Sequence, residues 1–344
     1  MTRRWVNRPP GSNWGEFGDD DQLGRLNLLT PARVRRAAAE IVAGVSFCLS
    51  LPLDYPGASR LNPTRHPPRL RPTVREGRPA RNFRVGEVVE GAVDVSNDDV
   101  MTLHSQYSTQ WDSLAHVGQM FDADGDGVAE AVFYNGFRAG GDIADFAAAD
   151  EVGALPPAGV GALSVANMAA TGVQGRGVMI DLHRHYGRVR HAVGYDDLMR
   201  ILEGDGVTVE EGDMVCLHTG FAALLLEMER DPDAAVMAGS CAVLDGGDAR
   251  LLQWITDSGL AVLIADNYAV EGVPSRDAPR PPGAWLPLHE HCLFKLGVHL
   301  GEIWYLSELA AWLAAHRRCR FFLTAPPLRM PGAVGSPVTP VATV

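Results

Sequence analysis

From residue 85 onward, short apolar runs alternate with longer segments in which apolar residues recur every three or four positions. The runs at 100–104, 178–182, 214–219, 261–265 and 319–324 predict strands, and the periodic segments at 195–203, 222–229, 248–258 and 306–317 predict helices. Nearer the start, Thr30 followed by Pro31 supplies a cap and a proline suited to the first helical turn, so a helix is predicted over 31–43 with Val34, Ala38 and Ile41 on one face. Residues 47–53 alternate and read as a strand. Residues 54–84 show no period and are rich in proline and arginine, which predicts a long surface excursion; such loops in compact domains are functional or intersubunit elements. The run PPGAWLPLHEHCLFKLGVHLGEIW, from residue 281, predicts a turn, a short helix and a strand. The tail at 325–344 holds five prolines and predicts an extended strap. With no internal repeat and no linker, the expectation is one α/β domain spanning 1–344.

Composition narrows the functional classes. The chain has 344 residues, 46% of them apolar and 21% charged, the profile of a folded globular protein. Its net charge of −12 disfavours nucleic acid as a partner, because phosphate contacts need a basic footprint. No apolar run is long enough to cross a bilayer. The opening MTRRWVNRPPGSNWGE carries charge without an apolar segment behind it, so it is not read as a secretory leader, and the expected address is cytoplasmic. Five widely spaced cysteines with no CxxC pair agree with a reducing compartment and are expected to be mainly small buried hydrophobes.

The chemistry is concentrated in LHSQYSTQWDSLAHVGQMFD, residues 103–122. His104, Gln106, Gln110, Asp112 and His116 lie close together there. Asp112 and His116 are four apart, which on a helix places both side chains on one face, able to meet one ion. Gln110 and Asp112 are two apart and share a face if that stretch is extended. One imidazole among oxygen donors suits zinc or manganese. The competing reading is a helix start, with Asp112 as its cap and His116 in the core. A second group, His289, His291, His299 and Glu302, sits in an apolar context, where a carboxylate is costly unless paired or metal-bound. His183, His185 and His218 follow predicted strands, and Thr219 with the backbone after it could donate to a substrate oxygen. Trp111 and Phe121 offer aromatic surface near the motif, or core. FDADGDGVAEAVF imitates the first half of an EF-hand loop with Asp122, Asp124, Asp126 and Gly127, but Phe133 stands where that loop needs glutamate, so it reads as an Asp/Gly-rich turn. GxSxG, GxxxxGK[ST] and HExxH patterns are missing.

The stretch STQWDSLAH resembles the HxGTHxDxPxH signature of the metal-dependent cyclase family, which includes bacterial kynurenine formamidase and isatin hydrolase. Ser108-Thr109 match its small-Thr pair, Asp112 its aspartate and His116 its last histidine; Gln106 and Gln110 stand where histidines are usual, Leu114 replaces the proline, and His104 lies two residues early for the first histidine. WGEFGDDDQLGRLNLLTP, RGVMIDL, EEGDMVCLHTG and LHEHCLFKLGVHLGEIWYLSEL resemble further family segments in consistent order. The resemblance implies a cyclase-like swivelling β/β/α fold, compact and mixed, with a curled, barrel-like sheet flanked by helices, assembled as a homodimer or larger homo-oligomer. The excursion at 54–84 and the tail are the expected intersubunit elements. It implies one divalent metal, Mn or Zn, with Gln110, Asp112, His116 and His104 as candidate ligands, and Glu302, His289 and His116 as catalytic residues. His289 matches the family's second histidine best, with His291 as alternative. Trp111, Phe121, Thr219, His218 and His291 are the candidate substrate contacts. The expected reaction is metal-assisted hydrolysis of an amide, lactam or cyclic imide C–N bond in a small-molecule substrate. A lyase or cyclase reaction on the same scaffold, and a metal-free binding protein derived from it, are the alternatives.

Overall fold

In the computed structural model, residues 3–145, 161–273 and 283–344 are described. Four strands run parallel at the centre of a nine-stranded sheet: β3 (Gln174–Asp181), β4 (Met214–His218), β5 (Val262–Ala265) and β6 (His299–Glu302). Antiparallel strands extend both sides. Beyond β6 come β2 (Gln110–Asp112) and β8 (Gly335–Pro337). Beyond β3 come β7 (Arg320–Thr324), β9 (Val341–Thr343) and β1 (Ser46–Cys48). The result is the expected mixed α/β fold around a curled sheet.

The central strands are apolar at nearly every position because both faces are covered. Period-two alternation divides their side chains: Ile180, Val215, Leu217, Leu263 and Leu300 enter one core layer, and Met179, Met214, Cys216, Val262 and Ile264 the other. The first layer is closed by Leu198 and Ile201 of a helix at Tyr195–Asp205 and by Leu251 and Ile255 of another at Ala249–Ser258. The second is closed by Leu309 and Leu313 of the helix Ser307–Ala315, with Trp304 and Leu306 ahead of it. Asp248 caps the Ala249–Ser258 helix by accepting from the backbone of Arg250 and Leu251. Thr30 does the same for the helix Pro31–Ala38, which stops well before residue 43.

Three sequence expectations are corrected. The 325–344 tail is more than a strap: β8 forms one edge of the main sheet beside β2, and β9 is an interior strand between β7 and β1. The predicted strand at 100–104 exists as Asp99–Thr102, but it pairs with Arg69–Pro72 and not with the main sheet. The proline-rich excursion thus continues beyond residue 84 as an arm of small hairpins, Val74–Arg75 with Arg78–Pro79 and Phe83–Arg84 with Val95–Ser96. Pairs this short have no readable period. The 281–304 run forms a helical turn, a π turn and β6 as expected, its first two residues lying outside the described ones.

Candidate metal centre

The carboxyl ends of parallel strands are where α/β sheets gather functional groups, and here Asp181, His218, Asp266 and Glu302 end β3 to β6 or directly follow them. Glu302 lies opposite Gln110 in the β6–β2 register, and Leu300 opposite Asp112. Gln110, Asp112 and Glu302 therefore project to the same face.

His289 completes the group from a different element. The chain passes from a single α turn, Pro287–His289, into a π turn, Glu290–Leu296. Residues two apart on such a turn point about 200° away from each other. His289 faces Glu302, Nε2 to Oε1 3.2 Å. His291 faces the opposite way and bonds Thr256 Oγ1 at 2.9 Å. Of the two histidines left open by the sequence, His289 is the one at the cluster; His291 is not a substrate contact in this arrangement.

Asp112, His289 and Glu302 bring one potential ligand atom each to within 4.8 Å of one another, and all three are buried. His116 stands at the rim, its Nε2 4.0 Å from Asp112 Oδ2. The two meet as the i, i+4 spacing predicts, though through a turn and not a helix: His116 N–H donates to Ser113 O at 3.0 Å. Gln106 Nε2 lies beside Asp112 Oδ1 and is 3.1 Å from His116 Nδ1. Gln110 Nε2 donates to Glu302 Oε2 at 3.2 Å. His104 is elsewhere, exposed, its Nδ1 3.1 Å from the backbone nitrogen of His66. It is not a ligand here, because the loop from His104 to Gln106 turns its side chain outward.

Glu271, which sequence reasoning missed, fixes His289. It accepts from His289 Nδ1 at 2.8 Å and from the backbone N–H of His289 at 2.9 Å, and it is fully buried. That bond fixes the ring with Nδ1 toward Glu271 and Nε2 toward the cluster, the orientation seen in many metal-binding histidines. The signal was available: a lone carboxylate in an apolar run, the same criterion that singled out Glu302. Two glycines make room for this packing. A Cβ on Gly246 would lie 2.0 Å from Glu271 Oε2, and one on Gly335 would lie 2.3 Å from Gln106 Cγ. The backbone beside both carboxylates is strained: Ala269 and Val270 precede Glu271 with φ of 71° and 57°, and Ile303 follows Glu302 with φ of 56°. Ile303 is held there by bonds from Thr109 Oγ1 to its carbonyl and from its N–H to Asn267 O.

Three carboxylates around one imidazole leave excess negative charge in a dry place. Burial, then the neighbouring Glu302 charge, pushes the Asp112 carboxyl up. Burial also pushes Glu302 up, but the bond to His289 outweighs it and the net shift is downward. Burial would lower His289; bonds to Glu271 and Glu302 instead raise it to about 10. Asp112 Oδ2 and Gln110 Oε1 are buried without a hydrogen-bond partner among the described residues. Unmatched acceptors of this kind are ones that a bound cation would satisfy. The oxygen-rich donor set with one or two imidazoles fits a divalent ion.

The remaining candidates are committed to other tasks. Trp111 lies between Gln110 and Asp112, so strand alternation sends it to the opposite face, where it packs on Trp304 with centroids 5.0 Å apart and donates to Ala325 O. Phe121 packs on Trp14 and Phe294 in the core. His218 is spanned by Asp181 (2.8 Å) and Ser307 (3.1 Å), and Thr219 gives its N–H and hydroxyl to Asp266. None of these four faces the cluster. Asp122, Asp124 and Asp126 accept backbone N–H groups of their own turn, as an Asp/Gly-rich turn does.

The family model Cyclase, described as putative cyclase, matches residues 48–272, the region that supplies β2 to β5, Asp112, His116 and Glu271. The chain belongs to the cyclase family. A crystal structure described as a novel cyclase is 31% identical to this cyclase-family chain, covers 98% of it and 100% of its own length, and superposes with a TM-score of 0.75. Isatin hydrolase A from Ralstonia solanacearum is similar at 14% identity over 91% of this chain and 97% of that one, TM-score 0.54. An isatin hydrolase bound to the product analogue thioisatinate matches at 13% identity over 93% and 98%, TM-score 0.52. These last two show the shared fold. No curated protein matches the chain. Among the described residues no helix is long and apolar enough to cross a membrane.

Proposed function

We propose that this cyclase-family protein is a metal-dependent hydrolase of a C–N bond in a small amide, lactam or cyclic imide. The observation that carries the reading is the buried Asp112–His289–Glu302 group, its ligand atoms within 4.8 Å and Asp112 Oδ2 without a hydrogen-bond partner among the described residues. Its relatives by fold include proteins named isatin hydrolases, which act on a lactam, and this supports the choice of bond.

Asp112, His289 and Glu302, with His116 and Gln110 beside them, would hold one divalent ion, manganese or zinc. Such an ion, when bound, supplies Lewis acidity that polarises a carbonyl and acidifies water. The protein's own groups do the rest. Glu302, at the carboxyl end of β6, would offer one oxygen to the ion and use the other to take a proton from the attacking water and deliver it to the departing nitrogen. Glu271 keeps His289 in one tautomer throughout. Gln106 and Gln110 direct Nε2–H donors at Asp112 and Glu302, so neither carboxylate swings away. The wall formed by Trp111 and Trp304 behind the strand keeps bulk water out.

The test is a panel of formanilides, lactams, cyclic imides and lactones, assayed before and after metal removal by chelator and again after manganese or zinc is restored. Product mass higher than substrate by one water, lost on chelation and recovered with metal, is the expected result. A product lighter by one water establishes the lyase alternative, and undiminished turnover in stripped protein removes the metal from the mechanism.

Exposed Leu70, Val74 and Val93 on the hairpin arm support the expected homodimer, and five free cysteines support a cytoplasmic address. Sedimentation as a monomer would refute the first.

A further inference from the structure

A pocket of about 360 Å³ opens between the start of the proline-rich excursion and the helices that follow β4. Leu61, Phe221, Met237 and Tyr268 supply its apolar wall. It stands apart from the metal centre, since Asp112, His116, His289 and Glu302 do not line it. Apolar walls with a few polar groups set among them are the usual make-up of a small-molecule site, and the volume is of that order.

Two polar groups of the pocket have unfinished bonding. Asn267 is 2% exposed. Its Nδ2 donates to Ala242 O at 3.0 Å and its backbone carbonyl accepts from Ile303 N–H at 3.0 Å, which fixes the residue and orients its amide. Oδ1 is left buried with no hydrogen-bond partner among the described residues. An acceptor shut off from water is costly until a donor reaches it. Arg190 is the second group. Among the described residues it forms no ion pair, and its one hydrogen bond is a long one to Ser240 O at 3.5 Å. The residue is exposed at the surface, yet burial of part of it pushes its guanidinium down from the ordinary value. Arg60, also on the wall, is already engaged by Asp231 at 3.2 Å and Pro232 O at 3.1 Å. No carboxylate lines the pocket among the described residues, although the chain carries a net −12. A guanidinium without a counterion beside apolar surface is a seat for an anion attached to an apolar body.

We propose that this pocket is a binding site, separate from the metal centre, for a small carboxylate that carries an N–H or O–H donor and an apolar body. The carboxylate pairs with Arg190, the donor satisfies Asn267 Oδ1, and the body packs on Phe221, Met237 and Tyr268. An N-acylated amino acid has this make-up. Which reaction the Asp112–His289–Glu302 cluster performs has no bearing on this binding.

Calorimetric titration of the full chain tests it by binding alone. The probes are hippurate, its uncharged amide hippuramide, and benzoyloxyacetate, in which an ester oxygen replaces the N–H. Hippurate is expected to bind about tenfold tighter than hippuramide, a preference that shrinks as salt is added. It is expected to bind about fivefold tighter than benzoyloxyacetate, the size of one lost hydrogen bond. Arg190→Gln should remove most of the first preference and leave the second. Arg190→Lys should keep part of the first, since a point charge survives but the planar fork does not. The same pattern is expected before and after metal removal by chelator, because the cluster takes no part. Equal affinity for hippurate and hippuramide overturns the proposal. So does a charge preference that survives Arg190→Gln or disappears on chelation, which would place the carboxylate elsewhere or at the metal centre. Equal affinity for hippurate and benzoyloxyacetate takes Asn267 out of the site and overturns it as well.

Discussion

Two buried charged clusters sit at opposite ends of the same parallel strands, and they are built on opposite terms. At the amino end, Arg176 of β3 makes a paired contact with Asp213, Nε to Oδ1 2.7 Å and Nη2 to Oδ2 3.0 Å, and also reaches Glu210. Asp213 further accepts from Glu210 N–H, so its acceptors are satisfied. At the carboxyl end, Asp112, Glu302 and Glu271 surround one imidazole, and an Asp112 oxygen has no partner among the described residues. The first cluster is electrically complete and serves stability. The second leaves an acceptor unmatched, which a cation would satisfy on the proposed reading. A buried ion pair is therefore not informative by itself; whether its acceptors are all matched is what separates the two roles.

The sharpest way to break this comparison is to remove one carboxylate from each. Asp213→Ala leaves Arg176 only the half-exposed Glu210 as a partner and should cost about 3 kcal/mol of unfolding free energy, read from urea midpoints. Asp112→Asn relieves crowding and should leave metal-stripped protein as stable as before or about 1 kcal/mol more stable, while abolishing metal retention in elemental analysis. If both substitutions destabilise alike, the two clusters are not built on opposite terms.

A smaller effect is expected one step behind the cluster. Glu271→Gln keeps the shape next to Gly246 but weakens the hold on His289, and metal affinity should fall about 10–100-fold. Competition against a chromophoric chelator reads this directly. Unchanged affinity would mean that His289 is oriented by its turn alone.

The smallest concerns the histidines that do not serve the cluster. Burial, aided by Lys295, lowers His291 to about 4, and burial lowers His299 to about 3. Unfolded histidine titrates near ~6.5. Their contribution is thus whole above that pH and is lost as pH falls toward 4, because only the unfolded chain takes up the protons. Each adds a slope of up to about 1.4 kcal/mol per pH unit. Urea midpoints from pH 7 to 5 should fall less steeply in His291→Gln than in the parent, and parallel lines would refute the assignment.

Much of this was legible before the coordinates. The central strands read correctly because they are buried on both faces and bounded by turns. Asp112 and His116 were legible because their spacing brings them together on a helix or a tight turn alike. Trp111 was misplaced because its neighbours were read as a site in sequence, whereas a strand divides neighbours between faces. His289 and His291 could not be separated, since only the π turn decides which of them looks inward. Glu271 carried the same signal as Glu302 but lay among no histidines. The hairpin arm was opaque because strands of two residues leave no pattern.

Strand β8 brings one more implication. Gly335 lies against Gln106 and beside Asp112 in register, although the two segments are separated by most of the polypeptide. Contacts between such distant segments form slowly. On the ribosome, the motif at 106–116 emerges early but waits, with an open sheet edge, for nearly the whole chain to be made. On the proposed reading, metal capture by the nascent polypeptide is consequently a late event, and changes near residue 335 should disturb the Gln106–Asp112 corner of the cluster.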